Sequence, residues 1–219
     1  MNDETTTYPR ELAPAAERSV TTVFGWVMGL VAIAIGFLSL GAYLGQDLSH
    51  GAAVTCSLLG FGMLLVSSFA GERFRVGSFA MGWLFGTATL IGLGLGPVIA
   101  QFATVQPDVL YQAIAGTAGT VLAMGALGLF LSKDLAPWMR PLSLIVFVGV
   151  GVAIVWTLVA GSLNPIVSLF IYAVSALLLV VDFNYLRKHA TERDAVWLAT
   201  GIFVSIVNIF TSLLGILSD

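Results

Sequence analysis

Apolar residues occur in continuous blocks along this chain rather than at every second or every third to fourth position. The blocks are about 20 residues long, which is the length that an α-helix needs to cross a hydrocarbon core of about 30 Å. Short polar gaps separate them. The pattern predicts seven membrane-spanning helices, over Val20–Leu44, Gly51–Ala70, Val76–Ala103, Val109–Leu131, Pro141–Gly161, Pro165–Phe183 and Asp194–Leu217.

Composition supports a membrane protein without a separate soluble domain. Hydrophobic residues make up 58% of the 219 residues and charged residues only 10%, whereas soluble domains carry about 25% charged residues. We therefore predict a single all-α, polytopic domain over residues 19–219. Residues 1–18 are polar and of mixed charge and contain two prolines, which predicts a disordered cytoplasmic tail and not a signal peptide.

The positive charges are confined to alternate gaps. All nine Lys and Arg residues lie in the tail or beside every second gap, and the other gaps contain none. Because short loops rich in Lys and Arg stay on the cytoplasmic side, this predicts a cytoplasmic N-terminus and a C-terminus outside. The nine residues are Arg10, Arg18, Arg73, Arg75, Lys133, Arg140, Arg187, Lys188 and Arg193.

Glycines and one proline interrupt the third span. The segment Gly92-Leu-Gly-Leu-Gly-Pro97 is expected to kink the helix near its outer end. The kink is either tolerated by close packing or marks a local break that lines a cavity. Three glycine pairs spaced four apart would let helices approach closely in lipid: Gly25 and Gly29, Gly82 and Gly86, and Gly92 and Gly96.

The seventh span carries a stripe of small and polar residues. Their spacings of 4, 3, 4 and 3 place them on one helical face: Gly201, Ser205, Asn208, Ser212 and Gly215. A polar face turns toward protein or water rather than lipid, so this helix is predicted to be central. The stripe is either a packed face with hydrogen-bonded Asn208 or the lining of a water-filled path.

Asp182 is the acidic residue that ends the long apolar run of the sixth span. It lies seventeen positions after Pro165, or about 26 Å along the helix, which places it near the cytoplasmic end beside Arg187 and Lys188. It is either an interfacial carboxylate paired with this basic loop or a gate and cation ligand at the inner mouth of a path. Asn184 could assist either role.

Other chemistry is excluded by position. His50 and His189 fall on opposite sides of the predicted membrane and cannot share a metal ion. Neither of the two lysines lies within a span, so a Schiff-base chromophore has no attachment point. The single cysteine, Cys56, can form no internal disulfide. We expect no enzyme activity, no cofactor and no nucleic-acid partner.

Several segments resemble the Bax inhibitor-1 family, also called the transmembrane Bax inhibitor motif family. Members end with an Asp-x-Gln-like element, a basic loop and a final helix with an Asn-Leu-Phe segment. Here Asp182-Phe-Asn184, the basic loop and IFVSIVNIFTSLLGIL follow that order. Further similarity lies in span three, in Gly116-Thr117 and in the Ser132-Lys133-Asp134-Leu135 junction. The resemblance runs from about Arg18 to the end.

The resemblance implies a seven-helix bundle with the last helix central. It also implies, for a bacterial member, a pH-sensitive calcium leak channel of the cytoplasmic membrane, in which two aspartates of spans six and seven share a proton. Asp182 matches the first aspartate, but Ser205 stands where the second is expected, and Asn184 replaces Gln. With one carboxylate in place of two, the implied cation site is weaker.

The functional expectation is therefore a multi-pass protein of the bacterial inner membrane that conducts calcium or another cation. Asp182 would be the pH-influenced gate and a tentative metal ligand, with Ser205, Asn208 and Ser212 lining the path. The alternative is a non-transporting protein that modulates a membrane AAA protease through its N-terminal tail, as some bacterial relatives do. A small-solute permease is a weaker alternative.

Overall fold

The structure is a computed structural model that describes residues 14–69, 71–160 and 164–218, with side chains from Thr21 onward except at positions 158 and 160. Seven of its helices are long and apolar enough to cross a membrane. This confirms the predicted all-α, seven-helix membrane fold. The helices are α1 Pro14–Leu44, α2 His50–Phe69, α3 Gly77–Val105, α4 Pro107–Phe130, α5 Met139–Ala160, α6 Pro165–Lys188 and α7 Ala195–Leu217.

Two helices, α1 and α6, extend well beyond their predicted spans. Helix α1 already begins at Pro14, so residues 14–18 of the predicted tail are helical, while residues 1–13 of that tail lie outside the described residues. Helix α6 continues to Lys188, past the predicted end at Phe183. Its last turn is polar, and side chains of that turn hydrogen-bond to the α4–α5 connection. These bonds support helix beyond the apolar block.

Helix α7 lies at the centre of the bundle, as predicted. It contacts α1, α3, α4 and α6, and its polar stripe faces protein. Ile202 and Ile209, which belong to the apolar faces of this helix, are fully buried as well. The helix is therefore enclosed on several sides. Helix α6 shares the central position, because it contacts α4, α5 and α7.

Close packing of α1 on α3 decides the conformation of the glycine-rich segment. A Cβ atom on Gly92 would overlap the Leu38 carbonyl and lie 3.0 Å from the Ala42 nitrogen. Pro97 cannot donate a hydrogen bond to the Leu93 carbonyl, yet α3 remains α-helical through this segment. Close packing without a local break is thus the alternative that the structure supports for α3. Of the three predicted glycine pairs, only Gly92 and Gly96 lie so close to a neighbouring backbone that an added Cβ atom would overlap it.

Three connections meet at one end of the bundle, which we call the basic end. They are the α2–α3, α4–α5 and α6–α7 connections, and each contains one short 3₁₀ turn: Glu72–Phe74, Ala136–Trp138 and Glu192–Asp194. Arg193 pairs with Glu72 at 2.8 Å, and His189 pairs with Asp134 at 2.9 Å. The described part of the chain thus brings the three basic loops together, as the alternating charge pattern predicts.

Candidate functional site

Asp182 is buried inside the bundle, six residues before the end of α6. Its side chain is only 4% exposed. Across the α6–α7 interface it faces Gly201, where an ideal Cβ would lie 3.4 Å from Asp182 Oδ2 and 3.8 Å from its Oδ1. The absence of a side chain at Gly201 therefore leaves space directly in front of the carboxylate.

Four buried polar atoms on α6 and α7 have no hydrogen-bond partner among the described residues. They are Asp182 Oδ2, Ser175 Oγ, Ser205 Oγ and Asn208 Nδ2. Ser175 and Ser205 are fully buried, and Asn208 is 8% exposed. Buried polar groups in proteins nearly always have a partner, which can be ordered water or an ion, and an unsatisfied group is costly at membrane depth. The four atoms mark a polar seam between α6 and α7.

Because α6 and α7 are antiparallel, residues at the same depth in the bundle can be found by counting along both helices from the contact between Asp182 and Gly201. Gly201 lies opposite Asp182. Moving seven residues along each helix, or about 10 Å, leads from Asp182 to Ser175 on α6 and from Gly201 to Asn208 on α7. Ser175 and Asn208 therefore lie at the same level. Sequence reasoning missed Ser175, although its spacing of seven from Asp182 places both residues on nearly the same face of α6.

The structure does not form the Asp182–Ser205 pair that the family resemblance suggests. Ser205 Oγ and Asp182 Oδ2 are both unpartnered, so no hydrogen bond joins them. Gly201, one helical turn closer to the basic end than Ser205, lies against the Asp182 carboxylate. Ser212, the remaining polar residue of the predicted path, is buried on the same α7 stripe at 4% exposure.

Asn184 has a structural position rather than a place beside the carboxylate. It is fully buried, and its Oδ1 accepts a hydrogen bond from the Leu135 amide at 3.0 Å. Its Nδ2 donates to the carbonyls of Gly128, Leu131 and Lys133 at 3.1–3.2 Å. Asn184 thereby fixes the end of α4 and the α4–α5 connection onto α6.

The cations near Asp182 in sequence do not pair with it. Arg187 Nη2 donates to the Leu131 carbonyl at 2.6 Å, and Lys188 donates to the Ser132 carbonyl. The interfacial ion pair considered for Asp182 is therefore not formed. Arg187 and Lys188 instead act with Asn184 on the α4–α5 connection.

Two other acidic residues of the basic end, Glu72 and Asp134, have partners of their own. Glu72 pairs with Arg193 in the α6–α7 connection, and Asp134 pairs with His189. The backbone amide of Ala136 and the His189 side chain both hydrogen-bond to Asp134 and lower the pKa of its carboxyl group. These two carboxylates therefore do not supply the second acidic group of the Asp182 site.

Metal binding at Asp182 would rest on a single carboxylate. No group of three His, Cys, Asp or Glu side chains that could hold a metal ion occurs among the residues described. Ca²⁺ takes six to eight oxygen ligands. The seam could offer the carboxylate and serine hydroxyls, with water completing the shell, so it suits a passing cation better than a tightly held one.

The comparison with family models decides the assignment. The model described as "Inhibitor of apoptosis-promoting Bax1" matches residues 18–219, which is nearly the whole chain. The chain belongs to the Bax inhibitor-1 family. A comparison with curated proteins finds no match. In this Bax inhibitor-1 family member, Asp182 and the α7 stripe meet at one interface, and helix α7 contains no aspartate between Ala195 and Leu217.

Proposed function

We propose that this Bax inhibitor-1 family protein is a cation leak channel, with calcium as the conducted ion and the α6–α7 seam as the path. The observation that carries the proposal is the buried position of the Asp182 side chain in the bundle. Its carboxylate is buried at membrane depth, has an oxygen without a partner and faces the open side of Gly201. Ionisable groups inside a membrane are costly and mark ion or proton pathways.

The rest of the seam supports a path along α7. Beyond Gly201, Ser205 and Asn208 continue away from the basic end, and both carry unpartnered polar atoms. Ser175 adds a hydroxyl from α6 at the level of Asn208. Water between these groups would satisfy their hydrogen-bonding capacity and hydrate a cation on either side of the carboxylate.

One carboxylate is suited to a leak. Conduction needs a site that favours entry yet binds weakly enough to release the ion. Asp182 supplies a charge without the second acidic residue of the family pattern. Because a proton and a cation would occupy the same carboxylate oxygen, we expect the flux to depend on pH through this residue.

Calcium flux into liposomes containing the purified protein tests the proposal. Asp182→Asn keeps the shape of the side chain but removes its charge. At an effective dielectric constant of about 20, a carboxylate attracts a unit positive charge about 4 Å away by about 4 kcal/mol, so losing even half of this attraction should lower the flux at least about tenfold. The pH dependence should disappear in the same variant.

Asp108→Asn is the matched control, because it removes one carboxylate from the first turn of α4, outside the seam. It should conduct like the wild type. Equal calcium flux in Asp182→Asn and wild type would disprove the role of Asp182. Absence of wild-type flux at every pH would disprove the channel.

Cysteine accessibility tests whether the seam is wet. In a Cys56→Ser background, Ser205→Cys should react with a water-soluble methanethiosulfonate reagent. Ala199→Cys should not, although Ala199 lies on the same helix and is also fully buried. Equal protection of the two thiols would mean that the stripe is a dry packing face.

The proposed location is the bacterial cytoplasmic membrane, with the basic end in the cytoplasm, because the Lys and Arg distribution follows the positive-inside rule. The alternative role, modulation of a membrane AAA protease, depends on the N-terminal tail, of which residues 1–13 lie outside the described residues. The seam favours the channel. The permease alternative has no observation of its own.

A further inference from the structure

A groove between α1 and α4 opens over the last turn of α6. It has a cavity volume of about 240 Å³ and is lined by Thr21, Phe24, Leu129, Leu186 and Arg187. We call it the α1–α4 groove. Among the described residues of the lining, three are large and apolar and the other two are a threonine and an arginine. This part of the lining thus combines an apolar surface with a positive charge.

The base of the groove is rigid because α4 packs very closely on α6. A Cβ on Gly128 would overlap the Val180 carbonyl and lie 2.8 Å from Phe183 Cβ, and one on Gly125 would lie 3.3 Å from the Phe183 ring. The rings of Phe24 and Phe183 are 6.4 Å apart and tilted by 51°. Phe183 therefore contacts both α1 and α4, and the groove lies beside this contact.

Arg187 is held in a fixed orientation at the groove. Its Nη2 donates to the Leu131 carbonyl at 2.6 Å, which leaves most of the five guanidinium N–H donors for other acceptors. Among the side chains that the structure describes, no carboxylate lies within ion-pair distance of it. The guanidinium thus offers a positive charge and several donors to an anion that reaches the groove.

The position of the groove matches the layers of a bilayer. Arg187 lies in the last turn of α6, next to Lys188, where a spanning helix reaches the headgroup level. Phe24 and Leu129, which are both partly buried, place apolar surface beside it. An acyl chain would contact that surface while a phosphate accepts hydrogen bonds from the guanidinium, a geometry that arginine favours.

We propose that the α1–α4 groove is a binding site for one anionic phospholipid of the surrounding leaflet. A zwitterionic lipid could fill the apolar part of the groove, but the positive charge in its headgroup would repel Arg187. The negative lipid gains about 1 kcal/mol for each Lys or Arg near the surface, or about fivefold in affinity. This proposal is independent of ion conduction.

Native mass spectrometry of the full-length protein in detergent tests the proposal, with dioleoyl phosphatidylglycerol and dioleoyl phosphatidylcholine as the probes. Wild type should bind the first lipid about fivefold more tightly than the second. R187Q should abolish this preference, and R187K should retain part of it. R140Q, which removes a charge from the exposed start of α5, should keep the full preference.

A second variant, T21F, fills the groove without changing its charge and addresses any misfolding of R187Q. It should remove the tightest phosphatidylglycerol binding event while Arg187 is intact. Equal wild-type affinity for both lipids would overturn the proposal. An equal loss of preference in R140Q and R187Q would also overturn it, because the preference would then arise from the net charge of the basic end.

Discussion

Replacement of Asn184 by alanine should destabilise the protein more than any other loss of a single amide side chain in the described chain. The side chain is fully buried and joins α6 to four backbone groups of the α4–α5 region. Its Oδ1 accepts one hydrogen bond, and its two N–H groups are shared among three carbonyls. The side chain therefore contributes about three effective hydrogen bonds. At about 1 kcal/mol for each bond, Asn184→Ala should cost about 3 kcal/mol.

The effect should be concentrated at the α4–α5 connection. Without Asn184, the Leu135 amide and the Lys133 carbonyl lose their hydrogen-bond partner on α6, and the loop can open separately from the bundle. If the full 3 kcal/mol acts on that opening, the open population rises by about a hundredfold. Because cleavage follows the open population when opening is fast, trypsin should cut after Lys133 correspondingly faster.

The assays are equilibrium unfolding in mixed micelles and mass spectrometry of the tryptic fragments. Asn164→Ala is the matched control: Asn164 caps the start of α6 by accepting hydrogen bonds from the Ile166 and Val167 amides. It should cost about 1 kcal/mol and leave cleavage after Lys133 unchanged. The reasoning would be refuted if the free energy of unfolding of Asn184→Ala lay within about 0.5 kcal/mol of the wild-type value and cleavage after Lys133 were unchanged.

Two further predictions concern packing and pH. Gly92→Ala should destabilise the bundle by about 2–3 kcal/mol in the same unfolding assay, because the new methyl group overlaps the Leu38 carbonyl. Gly82→Ala is the control: its methyl group meets nothing within 4 Å, so it should be neutral or stabilising by up to about 1 kcal/mol. Equal effects of the two substitutions would contradict the close approach of α1 and α3. Hydrogen bonds lower the pKa of Asp134 below 3.8, so its stabilising contribution is present above that pH and is lost as the pH falls through the lower folded value. Asp134→Asn should therefore weaken the acid dependence of the melting temperature between pH 5 and pH 2, and an unchanged slope would argue against it.

Glycine spacing illustrates the limit of sequence patterns in this bundle. The three pairs spaced by four residues are equivalent in the sequence, yet only Gly92 and Gly96 lie against a neighbouring backbone. The approach depends on where α1 crosses α3, and that crossing is set by the packing of both helices. Gly41 and Gly45 on α1 form the facing surface.

The polar residues near Asp182 show a similar limit. Arg187 and Lys188 follow it closely in sequence, and proximity along the chain suggested a common site. In the helix, however, these side chains reach the α4–α5 connection, because its carbonyls lie beside the last turn of α6. The acceptors come from residues more than 50 positions earlier, which local sequence patterns do not reveal.

The sequence by itself determined the seven helices, the separation of its charges and the burial of the α7 stripe. These features follow from the cost of placing polar groups in hydrocarbon, which acts on each segment separately. Only the tertiary structure decided that Gly201 lies against Asp182, that Ser205 forms no hydrogen bond with it among the described residues, and that Ser175 joins the seam. All three depend on the antiparallel register of α6 against α7, which is fixed by the fit of two surfaces rather than by the hydropathy of either helix.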